Sequence, residues 1–364
     1  MGIISYFNKK HFKNEKTNNN REIFADLLRT IAIFFVIVIH TTCTHLTASY
    51  GTSSFKWVLL VNAIASIAVP IFFMLSGCFL IKKDNIVNSK NTKRIIKRVY
   101  QLLIWTLIYL LFEKYYLGWD IDVGFQFIQS LFRHQVPHLW FMYPLIALYL
   151  LSPIVSKLYY ALDKKHIKYL LLFTFFIPLL MKWTIDYHNF VSIPLFALGF
   201  SEFSYFILGK YIYDNIDDIK KKIDLKTTVI VSMLGLLLII IYAFYDSFVF
   251  GMTNNPYFDY SRFPCALYCV SFYTVFILLK DKLQKIPDKF KRIISNIAVN
   301  SGGIYYIHMI FAQLLSPVYI LGIGFTSNHD SLLFMILGAI LYFTLSWFSI
   351  NILKKIPYIK ELIN

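Results

Sequence analysis

The chain has 364 residues, of which 57% are hydrophobic, 18% aromatic and 15% charged. Soluble domains carry about 25% charged residues, so the composition excludes a soluble fold and points to a polytopic membrane protein. The formal net charge of +16 would suggest nucleic acid if it were clustered on a soluble surface, but its distribution along the chain excludes that partner.

Residues 1–22 form a polar segment with Lys9, Lys10, Lys13 and Lys16. It has no short apolar core and no small-residue cleavage site, so it reads as a cytoplasmic N-terminal segment and not a removable signal. The first apolar stretch runs from Arg21 to His45, REIFADLLRTIAIFFVIVIHTTCTH. It is long enough to cross a hydrocarbon core of about 30 Å. Asp26, Arg29 and His40 interrupt it. Ionisable groups inside a membrane helix are costly and normally face a polar interior. Arg29 and His40 are eleven positions apart, which at about 100° per residue is three turns plus roughly 20°. Both therefore point the same way, about 16 Å apart along the axis. Asp26 lies three residues before Arg29, on the same face and within pairing reach. The bland alternative is a buried ion pair plus a satisfied core histidine.

Ten spans are expected, at about 23–45, 56–81, 99–117, 138–157, 168–186, 192–213, 227–246, 262–280, 296–320 and 332–353. This division puts 30 of the 36 Lys and Arg on one side, and Lys56, Lys114, Arg133, Lys182 and Arg262 on the other. The positive-inside rule then places both termini in the cytoplasm. The expected architecture is an all-α membrane bundle, with a membrane domain at 23–353 and a cytoplasmic tail at 354–364. Cys43, Cys78, Cys265 and Cys269 have no metal-ligand spacing. They read as apolar packers, and no metal is expected.

In span 2, Pro70 should kink the helix, while Ser66, Ser76 and Gly77 let neighbours approach. Ser76 is a candidate for a narrow cytoplasmic mouth. Entering span 3, Arg94, Lys97 and Arg98 share one helical face. An anionic headgroup or a phosphorylated cofactor such as coenzyme A would satisfy them. After an amphipathic surface piece (Gly124 to His134), His138, Trp140 and Tyr143 mark the outer mouth of span 4, and His134 or His138 could stand near His40. Span 6 carries Glu202 near its middle, with Arg29 as a conceivable partner and Gly199 and Gly209 allowing close packing. Span 7 reads as lipid-facing filler. The following loop, with Asp246, Asp259, Tyr260 and Arg262, is polar and aromatic enough to bind a sugar. Span 9 places Ser301, Tyr305 and His308 within about two turns. Span 10 and the tail add no candidates.

Five of these stretches, in order, resemble the membrane acyltransferase-3 family: FADLLRTIAIFFVIVIHTT, VPIFFMLSGCFL, KRIIKRVYQLLIW, HLWFMYPLIALYLLSPIV and SGGIYYIHMIF. The likeness is to stand-alone bacterial members that O-acetylate cell-surface polysaccharides. It implies a multi-pass protein of the bacterial plasma membrane that moves an acetyl group from cytoplasmic acetyl-CoA to a hydroxyl of an extracytoplasmic glycan. Carried onto this sequence, His40, Arg29 and Asp26 would be catalytic. Arg94, Lys97, Arg98 and Ser76 would bind the donor, although Lys97 stands where the family often has arginine. His138, Trp140, Glu202, Tyr305 and His308 would face the acceptor. Expected partners are the lipid bilayer, the glycan and enzymes of glycan assembly. The rival readings are a polysaccharide or small-molecule transporter of the same fold, and a membrane-bound sensor.

Overall fold

A bilayer offers no water to backbone N–H and C=O groups, so a spanning chain must satisfy them within helices or a closed barrel. This chain, seen as a computed structural model, takes the helical solution. The structure describes residues 21–48, 55–85, 87–180, 201–250, 259–315, 319–320, 323–324 and 332–363. The expectations for Lys9 to Lys16, Lys182 and Gly199, and for the side chains of Cys43 and Asp246, lie outside the described residues.

In chain order the helices are α1 (Ile23–Ala48), α2 (Phe55–Ala65), α3 (Ala68–Leu80), α4 (Ser89–Tyr115) and α5 (Val123–Gln129). A short 3-10 turn, Pro137–Phe141, leads into α6 (Met142–Ala161). Next come α7 (Lys164–Leu171), α8 (Ser201–Asp214), α9 (Ile216–Lys220), α10 (Leu225–Phe250) and α11 (Phe263–Leu278). The chain continues through α12 (Lys280–Leu283), α13 (Asp288–Leu315), α14 (Leu332–Leu353) and α15 (Pro357–Ile363). Among the described residues the only strands are Tyr319–Ile320 and Ile323–Gly324, paired antiparallel.

Among the described residues, six segments are long and apolar enough to cross a membrane: Ile23–Thr42, Phe55–Leu80, Asn91–Tyr115, Pro137–Ala161, Leu225–Tyr245 and Met335–Leu353. Phe263–Leu278 is apolar but shorter. α13 has 28 residues, about 42 Å of helix, but Asn300, Ser301, His308 and Gln313 dilute its apolar character. It is an interior helix, packed against α1 and α14, with Asn300 and His308 each 1% exposed. Bilayer-facing positions are apolar instead. Leu234, Leu237 and Ile241 of α10 and Leu333, Ile336 and Ile340 of α14 are exposed, which fits a hydrocarbon solvent.

The second span is broken by its proline. The helix stops at Ala65 and resumes at Ala68. Pro70 has no N–H to offer the carbonyl four residues earlier and crowds it sterically. That carbonyl belongs to Ser66, and the Cys265 thiol of α11 stands 3.9 Å from it and 3.6 Å from the Ser66 hydroxyl. Cys265 therefore acts as a weak donor as well as packing against its neighbours. α3 and α8 pack almost backbone to backbone. A Cβ built on Gly77 would run into the Phe206 carbonyl, and one on Gly209 into the Met74 backbone. α1 lies at the centre, touching α2, α3, α13 and α14.

Candidate active site

One face of α1 carries the polar residues, and the structure uses them from end to end. Near the helix start, Asp26 is 2% exposed. It accepts two hydrogen bonds from Arg21, at 2.9 Å from Nε and 2.8 Å from Nη2, and one from Arg29 Nη1 at 3.3 Å. The Ser295 hydroxyl of α13 donates to its other oxygen side at 2.7 Å. This carboxylate thus holds two guanidinium groups and ties α1 to α13. The Arg29 guanidinium also lies 5.0 Å from the centre of the Phe79 ring, a cation–π contact that keeps a charged group against an aromatic wall.

A cavity of about 330 Å³ runs along this face. Arg21, Arg29, Arg98 and Ser76 line it, and so do His40, His138, Trp140 and Tyr305. Because Arg29 and His40 are about 16 Å apart along one helix, a cavity touching both must connect an arginine end to a histidine end. Phe72, Leu75, Phe79, Leu145 and Tyr149 supply much of the wall between them.

At the histidine end three imidazoles from three elements converge. Ring centres are 5.2 Å apart for His40 and His308, 5.6 Å for His138 and His308, and 6.2 Å for His40 and His138. His138 sits in the 3-10 turn and is 5% exposed. Its backbone carbonyl accepts the Tyr305 hydroxyl, and its ring lies edge-on to Tyr109 at 4.4 Å. The Tyr109 hydroxyl in turn donates to the Tyr306 carbonyl at 2.6 Å. His308 Nδ1 is 2.7 Å from the Tyr305 carbonyl. A carbonyl oxygen only accepts, so Nδ1 carries the proton and Nε2 is left with a lone pair. Nε2 of His308 and Nε2 of His138 are buried with no hydrogen-bond partner among the described residues.

The remaining candidates fall into place around this cavity. Arg98 lines it and donates to Gln101 at 2.8 Å. Lys97 is not in the wall; it pairs with Glu361 of α15 at 2.6 Å. Arg94 lies on the exposed side of α4. Glu202 does not pair with Arg29. It sits in the first turn of α8, where its carboxylate accepts the Tyr260 hydroxyl at 2.6 Å and the Ser201 hydroxyl at 3.0 Å. The Tyr260 ring lies parallel to that of Trp140, 6.3 Å away, so Glu202 reaches the cavity only through this aromatic pair. His134 remains exposed, its ring 6.5 Å from Tyr143.

Two contributors were not expected from the sequence. Arg21 counts there only as one more basic residue near a membrane boundary, yet it is the strongest partner of Asp26. Its signal was its position five residues ahead of that acid. The tail is the other. Ile363 of α15 lines the cavity, and the helix is held by Gln101 donating to the Glu361 carbonyl at 2.9 Å and the Trp105 indole donating to the Leu362 carbonyl at 3.0 Å.

The family model of an acyltransferase domain matches residues 22–352, nearly the whole chain. The chain therefore belongs to this membrane acyltransferase family, as its sequence resemblance implied. No curated protein and no solved structure matches it.

Proposed function

We propose that this member of the acyltransferase family moves an acetyl group from cytoplasmic acetyl-CoA to a hydroxyl of a glycan on the far side of a bacterial plasma membrane. The observation that carries this reading is the single cavity joining Arg21, Arg29 and Arg98 to His40 and His138. A transferase with donor and acceptor on opposite sides needs such a conduit. At about 330 Å³ it lies at the lower end of small-molecule sites. It suits the slender acyl-bearing arm of the donor, with the nucleotide left outside at the arginine end. Arginine is suited to phosphate because its planar fork donates two parallel hydrogen bonds.

The separation along α1 decides between two roles for Arg29. A group about 16 Å from His40 cannot hold the carbonyl that His40 works on. Arg29 therefore binds the donor's distal part, with Arg21 and Arg98, while Asp26 fixes the two α1-side guanidiniums. His40 acts on the acyl group as general base, taking the proton of the attacking hydroxyl. Trp140, backed by Tyr260 and Glu202, and Tyr305 with His138 shape the acceptor's approach. Lys97, engaged with Glu361, and Arg94, on the surface, act on the donor's phosphates only at long range.

The same reading carries a ten-span membrane domain at 23–353, with the N-terminal segment and the tail in the cytoplasm. It needs no metal. Its test is turnover of acetyl-CoA by the purified chain, compared with His40→Ala. Loss of thiol release in the variant, with CoA binding retained, supports it. A wild-type protein that neither binds CoA nor releases thiol sinks it and favours transport.

A further inference from the structure

His308 does not line the cavity; it stands behind the two histidines that do. Its ring centre is 5.2 Å from that of His40 and 5.6 Å from that of His138. The two rings are tilted by 42° and no hydrogen bond joins Nε2 of His308 to His40 in this arrangement. At the shorter distance a turn of the His40 ring that aims a nitrogen at His308 brings the two within hydrogen-bond reach. The residue is 1% exposed. Its Nδ1–H is committed to the Tyr305 carbonyl of the preceding helical turn, at 2.7 Å. That bond fixes both the tautomer and the ring's orientation, and it leaves the Nε2 lone pair as the group's one open function. Nε2 is fully buried and unpartnered among the described residues. Buried polar atoms are nearly always paired, and an orphan held in place by its own neighbours calls for a functional reason.

We infer that Nε2 of His308 is the proton acceptor behind His40, the two imidazoles forming a relay that stores the acceptor's proton during acyl transfer. The inference rests on the acyl-transfer reading above. In the step, the hydroxyl oxygen bonds to the acyl carbon and its proton passes to the cavity-facing nitrogen of His40. The other ring nitrogen of His40 gives its proton to Nε2 of His308, so the positive charge moves one ring away from the reacting atoms. The carbon–sulfur bond breaks and the thiolate keeps the electron pair. The proton on His308 then returns through His40 to the thiolate, giving free thiol, ester and both histidines neutral. No oxidant, reductant or further reactant is consumed. His308 touches neither substrate, so it is a positioning and proton-storing residue in this scheme.

The relay asks for two properties of one side chain, and they are separable. In His308→Asn the amide nitrogen takes the place of Nδ1 and keeps the donation to the Tyr305 carbonyl, while nothing replaces Nε2. The full-length variant and wild type are purified in detergent and assayed for thiol release from acetyl-CoA, with CoA affinity and thermal unfolding measured on the same samples. The expected result is a kcat at least ~10-fold lower, within the range for losing a proton-transfer partner. KM for acetyl-CoA, CoA affinity and unfolding temperature should stay at wild-type values. A kcat that falls less than this, in a protein that unfolds at the wild-type temperature, overturns the relay. If His308→Asn unfolds early, His308→Gln is read instead. Its amide nitrogen reaches the Nε2 position but cannot accept a proton, and the same kcat criterion applies. Failure of the underlying reading looks different, because wild type itself would then release no thiol.

Discussion

Asp26 shows how one buried acid organises a site it does not line. Its two oxygens receive Arg21, Arg29 and Ser295. Removing a carboxylate from such a cluster leaves guanidinium groups without their counter-charge, and it is the leftover charge that makes the loss expensive. Both arginines are part-exposed, at 37% and 28% of their side chains, so water recovers some of that loss. Asp26→Asn should therefore destabilise the chain by on the order of 2 kcal/mol, read as an earlier thermal transition in detergent. It should also raise KM for acetyl-CoA more than it lowers kcat, since the proposed function gives the arginines the donor and the histidines the chemistry. A change confined to kcat would remove Asp26 from the donor end. At this scale the sequence was informative wherever the relevant residues share one helix. Asp26, Arg29 and His40 follow from helical arithmetic alone. The meeting of His40, His138 and His308 does not, because their proximity depends on how three separate elements pack. The placement of Glu202 beside Tyr260 rather than Arg29 depends on the same packing.

Among the elements, the α3–α8 pair fixes the width of the bundle beside the cavity, because Ser76, Leu75 and Phe79 in the cavity wall are neighbours of Gly77 on α3. Gly77 and Gly209 meet the opposite helix at its backbone, which cannot turn aside as a side chain can. Either change to alanine should cost about 3 kcal/mol, the upper part of the range for overpacking. Gly302 is the control. It lies in the same cavity wall, but an added Cβ there meets nothing within 4 Å. Gly302→Ala should leave stability unchanged or gain up to about 1 kcal/mol from helix propensity. Thermal unfolding of the three variants side by side checks the contrast, and equal losses in all three would refute it. The glycine in span 2 was legible as a close-approach residue. The break at Ser66 was legible only as a kink, and the Cys265 thiol that meets the freed carbonyl comes from a distant helix. The role of α15 was not legible at all. Seven residues carry too short a pattern to reveal that Lys97, Gln101 and Trp105 will hold them against the cavity.

For the whole molecule, the cavity gives the membrane sidedness a chemical meaning. Its arginine end lies beside the start of α1 and its histidine end beside the later turns of the same helix. On the proposed topology, the uneven distribution of Lys and Arg along the chain would put the N-terminal side of α1 in the cytoplasm. In the proposed function, donor phosphates and topogenic charge would then belong to the same side, and the histidines to the other. The expected orientation comes from the sequence because charge placement is a one-dimensional signal. The conduit between the ends does not, because it is a space left among several helices. The alignment predicts a vectorial reaction. In sealed vesicles carrying the protein in one orientation, added acetyl-CoA should release thiol only when the arginine end faces outward, as in inside-out membranes. Right-side-out vesicles should release thiol only after detergent opens them, since a charged nucleotide does not cross the bilayer by itself. A short reporter on the C-terminus, beyond α15, should report the cytoplasmic side in the same preparation. Donor turnover from the opposite face, with the reporter still cytoplasmic, would mean that the arginine end is not where the donor binds.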